Sequence, residues 1–470
     1  MLFLVGLYET IYVFMNDPTD ARWTAFRAVL LRGPIGATDA ARTLGISQPT
    51  FSRLVREWGG RVVVNGRGRS TTYLGARDIL DTGPSVPITE VQADGTTRAL
   101  GVLRGVLPRA YVIDPGTTLG ATTYFDDLPY FLHELRPAGF LGRLIPRQHP
   151  ELHFSNDISV WTADNVVAYA SQFGSDLPGN LIVGTTAFQL YLQRSQHPPH
   201  FVADEDRVRV YPQRAADIMA AGDAGSSAAG EQPKFLVHRS ADGRAAIVKF
   251  SPPTAGPVAK RVADLLVAEH LALETMREHG QESARTQLLC AGGRTFLESE
   301  RFDRLRGHGR RGVISLFALD AHFAGHLSSW IASTEALVGA KVLPAEVTTN
   351  VRWRQRFGEL IGNTDMHGGN LAFFTEALVP VSLAPAYDMG PARYSPRQGE
   401  LPTLPPLTPP LPEPYDAPIW ASVCEAAQNF WNAVAQHALI SPGFRAIALL
   451  NLEVVSERRN LAKRLGTTDR

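Results

Sequence analysis

Cysteine is almost missing from this chain: Cys290 and Cys424 are the only two among 470 residues, and no metal-ligand spacing links them. Their scarcity excludes a disulfide framework, and both thiols, each in apolar company, read as reduced and structural in a cytoplasmic protein. Long hydrophobic runs are missing too. No stretch reaches the roughly 18 apolar residues of a transmembrane helix, so no membrane partner is expected. Residues 1–20 open with an apolar segment, Met1 to Met15, that Glu9 interrupts. Neither a basic n-region nor a small-residue cleavage site flanks it, so it reads as a docking strand or helix, or as sequence ahead of a start at Met15, rather than as a signal peptide. Lysine is scarce, five residues against 41 arginines, and the net charge is zero. A chain of 470 residues implies two to four domains.

The zero total hides an asymmetry. Residues 21–77 hold ten arginines against Asp39 and Glu57, a net of +8, so a polyanion partner is expected for this segment alone. Apolar positions 23, 26, 29 and 30 predict a helix from Trp23 to Leu31, ended by Gly33-Pro34. Thr38 is placed to cap a second helix ending at Gly45. Ser47 would cap a third, with Pro49 in its first turn and Phe51, Leu54, Val55 and Trp58 facing inward. Arg61 to Leu74 reads as two strands around an Asn65-Gly66 turn. The string Ala41 to Arg53 followed by this hairpin resembles a winged helix-turn-helix domain over residues 21–80. That resemblance implies DNA as a partner. Gln48, Thr50, Ser52 and Arg53 would meet base edges or phosphates, and Arg67 and Arg69 on the wing would meet the backbone or minor groove. A three-helix protein-docking module with solvated arginines fits the same pattern.

After a linker from Asp81 to Pro87, residues 88–205 alternate short apolar runs with glycines and prolines. Strands are predicted at Val102–Leu107 and Ala110–Ile113, and helices at Leu128–Leu144 and Val166–Phe173. His133, His149 and His153 are too scattered to be metal ligands. Residues 206–300 read as strands around a Gly/Ala/Ser loop, then a buried helix from Lys260 to Met276. In that loop, Ser226 to Lys234, small residues let backbone N–H groups approach phosphate oxygens and Lys234 adds a charge, although flexible connectors share the composition. Ala245 to Phe250 reads as a strand with one lysine, Lys249. Where nearly every cation is arginine, a lysine kept there suits a compact ammonium reaching nucleotide phosphates; a strand-edge lysine reaching water is the alternative. Glu269 on the next helix is its candidate ion-pair partner, and equally well a solvated helix glutamate. Phe296 to Arg304 reads as a strand entering a charged connector, where a kinase hinge would offer backbone groups to adenine. Residues 301–470 read as mostly helical from Ile314, with eight prolines in 402–418 making a polyproline-like surface excursion.

The chemistry concentrates in Leu360 to Phe374. Asp365 stands five positions before Asn370 on a Gly-rich loop, and Asp388 follows in the turn Tyr387-Asp388-Met389-Gly390. Phosphoryl transfer needs a carboxylate to accept the proton of the attacking hydroxyl, and two more oxygen ligands to hold Mg²⁺ against the phosphates. Protein kinases supply these as Asp, an Asn five residues on, and the Asp of a D-F-G turn, and this order is reproduced here. Asp and Asn also favour ordinary turns.

With these residues in hand, the chain resembles the HipA family of bacterial serine/threonine kinase toxins, particularly the YjjJ-like branch with its own N-terminal helix-turn-helix. The resemblance covers roughly residues 90–460. It rests on S-x-A-G-x-Q-x-K (Ser227 to Lys234), the Lys249 strand, E-R-F-D-R (Glu300 to Arg304), G-N-x-D-x-H-x-x-N (Gly362 to Asn370) and Y-D-M (Tyr387 to Met389). It implies an α+β, two-lobed kinase-like fold behind the winged domain: a HipA N-terminal subdomain over 88–205, a kinase N-lobe over 206–300 and a helical C-lobe over 301–470. Asp365 would be the catalytic base, Asn370 and Asp388 would hold Mg²⁺, and Lys249 would contact ATP with support from Glu269. The loop carrying Ser227, Gly230, Gln232 and Lys234 would cover the phosphates, with Ser227 at an inhibitory autophosphorylation position. The implied target is a protein of translation, such as an aminoacyl-tRNA synthetase, and an antitoxin is an implied partner. The chain departs from the family at Gly369, where a lysine is usual, and at Pro233, where a glutamate is usual. A non-enzymatic transcription regulator with a kinase-like sensor domain and a small-molecule kinase remain as rival readings.

Overall fold

The first helix of the N-terminal unit, Pro18–Leu30, packs Phe26 against Phe51 and Trp58 of a later helix, with ring centroids 5.3 and 5.1 Å apart. The computed structural model describes residues 18–114, 124–197, 200–221, 232–239, 244–326 and 328–464. Two short helices follow the first, Ala37–Thr43 and Gln48–Trp58. Ser47 caps the latter through Thr50 N–H. Three antiparallel strands complete the unit, β1 (Ile35–Gly36), β2 (Val62–Asn65) and β3 (Thr72–Gly75), in the order β1-β3-β2. Two local expectations fail. The helix at Ala37 is capped by Gly36, because Thr38 lies inside it and its hydroxyl accepts from Gln48 Nε2 at 2.6 Å. The strands do not meet at a two-residue Asn-Gly turn: Asn65 pairs with Thr72, leaving residues 66–71 as the loop, with Gly66 at φ +83°.

The expected linker is not a free tether. β4 (Ser85–Val91) starts within it, and β4, β5 (Thr97–Val106), β6 (Ala110–Asp114), β7 (Tyr124–Phe125) and β8 (Leu181–Val183) form an antiparallel sheet in the order β7-β6-β5-β4-β8. Leu107, just past β5, is buried in the core of the N-terminal unit. Leu107 N–H donates to Gly75 O at 2.8 Å, and Arg77 pairs with Asp164 at 2.6 Å. A Cβ on Gly105 would lie 2.8 Å from Arg77 O, so glycine there permits the close approach of the two segments. The helix expected over residues 128–144 is split into a 3₁₀ turn, Tyr130–Leu135, and a helix, Gly139–Gln148, with Pro137 between them and Gly139 at φ +63° opening the second. The helix Ala163–Phe173, closed by a Thr162/Asn165 capping box, contains the expected Val166–Phe173.

β9 (Lys234–His238), β10 (Ala245–Phe250), β11 (Thr286–Ala291) and β12 (Arg294–Glu300) make a second antiparallel sheet in the order β11-β12-β10-β9, packed on the helix Pro257–Glu278. Beyond Ile314 the chain is helical as expected, through Leu316–Phe323, Trp330–Gly339, Val347–Ile361, Ala417–Gln436 and Pro442–Arg464. It also holds a sheet that periodicity did not reveal: β13 (Gly312–Ser315), β14 (Ala372–Glu376) and β15 (Val379–Leu383). The proline-rich excursion is anchored rather than free. Leu407 is buried in the main core, and the fully buried Asp416 carboxylate pairs with Arg352 at 3.2 Å and Arg356 at 2.9 Å. Of the two cysteines, Cys424 is buried as expected, whereas Cys290 is exposed because it falls on a solvent-facing position of β11.

Candidate active site

Lys249 sits on β10 directly opposite Lys234 of β9, so both side chains share one face of the sheet. Two ammonium groups facing the same way need counter-charges, and two carboxylates meet Lys249. Its Nζ lies 2.7 and 2.8 Å from the oxygens of Glu269, on the packed helix, and 2.8 Å from Asp388 Oδ1. Burial disfavours the Lys249 ammonium, but Asp388 and Glu269 outweigh it and its pKa is raised. Asp388 is likewise penalised by burial, yet Lys249 and then Lys234 hold its carboxyl at about 2. It is ionised at every physiological pH, with its side chain 36% exposed. Asp388 also adopts φ +50°, a left-handed conformation that costs a non-glycine residue about 1 kcal/mol or more, and such strain concentrates at functional sites.

The loop that carries Asp365 and Asn370 is tied to the turn that carries Asp388. The helix Val347–Ile361 ends at Gly362, whose φ of +74° closes it and turns the chain into the loop. Asp365 N–H donates to Asn363 Oδ1 at 2.9 Å, and Asn370 Nδ2 donates to Asp365 O at 2.8 Å. With its amide N–H₂ so engaged, Asn370 has Oδ1 left as an acceptor among the described residues. The Asp365 carboxylate is 65% exposed. Two bonds stitch the loop to the Asp388 turn: Tyr387 Oη donates to Gly369 O at 2.6 Å, and Asn363 Nδ2 meets Met389 Sδ at 3.4 Å. Neither stitch was anticipated from sequence, although Tyr387 beside Asp388 was the available signal.

Of the remaining residues expected to cover phosphates, Gln232 donates to Phe250 O at 2.5 Å and so ties the segment before β9 to β10. Ser227 and Gly230 lie outside the described residues. At the connector after β12, the amides of Glu300 and Arg301 are engaged by Arg285 O and Ala245 O. The connector's charges are buried: Arg301 and Arg304 each meet Asp303 at 2.9 Å, and Arg304 meets Asp176 of the middle domain at 2.8 Å. Burial opposes the charge on both carboxylates, and the arginines hold them well below the ordinary range regardless.

In the N-terminal unit, Gln48, Ser52, Arg53 and Arg67 are exposed, and Arg53 lies 3.7 Å from Glu57. The Thr50 hydroxyl lies 2.8 Å from Ser47 Oγ, within the helix cap. The backbone of Arg69 belongs to the loop between β2 and β3. Arg42 and Arg56, not singled out from sequence, are exposed on the same pair of helices. Among the described residues no group of three or more His, Cys, Asp and Glu side chains is arranged to hold a metal, and no helix is long and apolar enough to cross a membrane.

Residues 82–192 match the model of the YjjJ-like toxin middle domain, and residues 226–429 match that of the HipA-like C-terminal domain. Toxin YjjJ of Escherichia coli (strain K12) is 33% identical over 445 residues, which cover 93% of this chain and 98% of that protein. Two solved structures bear a more distant likeness. HipA of Shewanella oneidensis MR-1, in a complex with HipB and operator DNA, gives a TM-score of 0.47 at 16% identity, over 80% of this chain and 97% of that one. The Helicobacter pylori proinflammatory kinase CtkA gives 0.36 at 11% identity, over 50% and 92%. Carrying both domain signatures in order and a third of its residues in common with an end-to-end relative, the chain belongs to the YjjJ-like branch of the HipA-like toxin family.

Proposed function

We propose that this toxin is an ATP- and Mg²⁺-dependent protein serine/threonine kinase whose N-terminal unit is a winged helix-turn-helix that binds DNA. The observation that carries the reading is the buried Lys249 ammonium held between Glu269 and Asp388, beside a loop that ties Asn370 to Asp365. Asn370 Oδ1 and the Asp388 carboxylate suit Mg²⁺, a hard cation that commonly takes one or two protein oxygens and completes its shell with phosphates and water. When bound, the ion would neutralise charge on the nucleotide phosphates. Lys249, oriented by Glu269, supplies an ammonium to those phosphates, and Lys234 adds a second. Asp365 orients the attacking hydroxyl and takes its proton.

By family resemblance, Ser227 and Gly230 belong to the loop over the phosphates, Ser227 is an autophosphorylation site, the substrate is a protein of translation such as an aminoacyl-tRNA synthetase, and an antitoxin restrains the toxin. The net of +8 over residues 21–77 supports the DNA partner. The test incubates the purified chain with labelled ATP and Mg²⁺. Label on the chain or on a protein substrate, abolished by Asp365→Asn, supports the reading. Operator binding without any transfer would make the protein a non-enzymatic regulator instead, and label on metabolites alone would make it a small-molecule kinase.

A further inference from the structure

The helix Leu316–Phe323 starts against the loop that carries Asp365. Ser315 caps it, so Phe317 stands at its second position. A Cβ on Gly368 would lie 3.0 Å from both Phe317 N and Phe317 Cα, so the loop backbone rests directly on this residue. Phe317 is nonetheless 38% exposed, and Ala321, one turn further on, is exposed as well. The middle domain extends the same surface. Its 3₁₀ turn Tyr130–Leu135 places the His133 ring with its centroid 5.0 Å from that of Phe317, and the His133 side chain is 32% exposed. Burial holds the His133 ring below its ordinary pKa, so it is neutral at pH 7. The next residue, Glu134, accepts Ser315 N–H at 3.0 Å and fixes the turn to the helix cap. Burial and then the Glu134 carboxylate push the Tyr387 hydroxyl well above its usual range, so the turn also reaches the residue before Asp388.

A single exposed phenylalanine needs no explanation. Two uncharged rings from different domains, in contact with each other and continuous with the loop of an exposed Asp365, do. Gly368 is three positions from Asp365, at most about 11 Å along the chain. An extended polypeptide advances about 3.3 Å per residue, so one whose acceptor hydroxyl sits at Asp365 meets Phe317 with a side chain two or three positions away. Resting on the kinase reading above, we propose that Phe317 is a specificity-determining residue: with His133 it receives a large apolar side chain of the protein substrate, two or three positions from the phosphoacceptor Ser or Thr. The middle domain thereby takes part in choosing the substrate.

A phenylalanine that only shields the loop backbone makes different predictions. The measurement is phosphorylation by the full chain, with labelled ATP and Mg²⁺, of peptides that carry a central Ser or Thr and vary at each flanking position. The wild type should favour Leu, Met or Phe over Ala, Asp and Lys by about tenfold at one position two or three from the acceptor. For the favoured peptide, Phe317→Ala should raise KM about tenfold while kcat falls less than about threefold, and should flatten the preference. Phe317→Glu suits the first turn of a helix and should turn the preference at that same position toward Arg and Lys. His133→Ala should cost less than Phe317→Ala, and the two losses should not add, because the rings act as one surface. A wild type without flanking preference, a Phe317→Ala chain with unchanged peptide KM, or a Phe317→Glu chain that does not turn to basic residues would overturn the assignment while leaving the kinase reading intact. So would a chain that labels itself but none of the peptides. A wild-type chain that transfers phosphate neither to itself nor to any peptide would instead overturn the kinase reading, and this assignment with it.

Discussion

Asp176 shows how a single carboxylate joins two domains. It sits in the middle domain, yet its Oδ1 meets Arg304 at 2.8 Å and Arg301 at 3.3 Å in the connector after β12. Because its folded pKa is depressed, its stabilising effect is complete above the unfolded-chain value of about 3.9 and is lost as pH falls from there through the folded value. Asp176→Asn leaves the buried arginines short of a counter-charge, so at pH 7 it is expected to cost about 3 kcal/mol or more. Denaturant unfolding at a series of pH values should also show a flatter profile for the variant than for the wild type below pH 4, since the titrating group is gone. An equal dependence on acid in both proteins would remove Asp176 from this role. The Asp365/Asn370 pair was legible from sequence because its spacing is local and the loop closes on itself. The Asp176 contacts were not, because their partners lie 125 and 128 positions away and only folding brings them together.

The helix Gln48–Trp58 was the clearest element to read from sequence. Ser47, Pro49 and the inward set Phe51, Leu54, Val55 and Trp58 announce its start and its buried face; Phe51, Leu54 and Trp58 are buried there, and Val55 packs partly buried against the same core. Less legible was β1, two residues long and therefore without periodicity, which nonetheless pairs with β3 to extend the small sheet. The 66–71 loop was misread because an Asn-Gly pair is a hairpin signal only when the flanking residues are in register around it, and here Asn65 faces Thr72. If this helix enters a DNA groove, Arg53 makes a phosphate contact. Arg53→Ala should then weaken binding to operator and unrelated duplexes alike and reduce the slope of log K against log salt by about one, read by fluorescence anisotropy across salt concentrations. An unchanged slope would place Arg53 outside the interface.

Taken together, the domains are locked rather than strung. Leu107 enters the N-terminal core, Arg77 grips Asp164, and the connector arginines grip Asp176, so the N-terminal unit, the middle domain and the site-bearing sheet are held by buried contacts in series. A family signature spread over five motifs was visible in sequence because each motif is short and contiguous. The contact that defines the site was not, since Lys249 and Asp388 stand 139 residues apart. That contact is also where the account is most exposed to test. Calorimetric titration of the purified chain with ATP, with and without Mg²⁺, should show binding that depends on the ion. Asp388→Asn should weaken it at least about tenfold, which is 1.4 kcal/mol, whereas Asp365→Asn should retain it. ATP binding indifferent both to Mg²⁺ and to Asp388 would contradict the assignment of this cluster as a metal–nucleotide site.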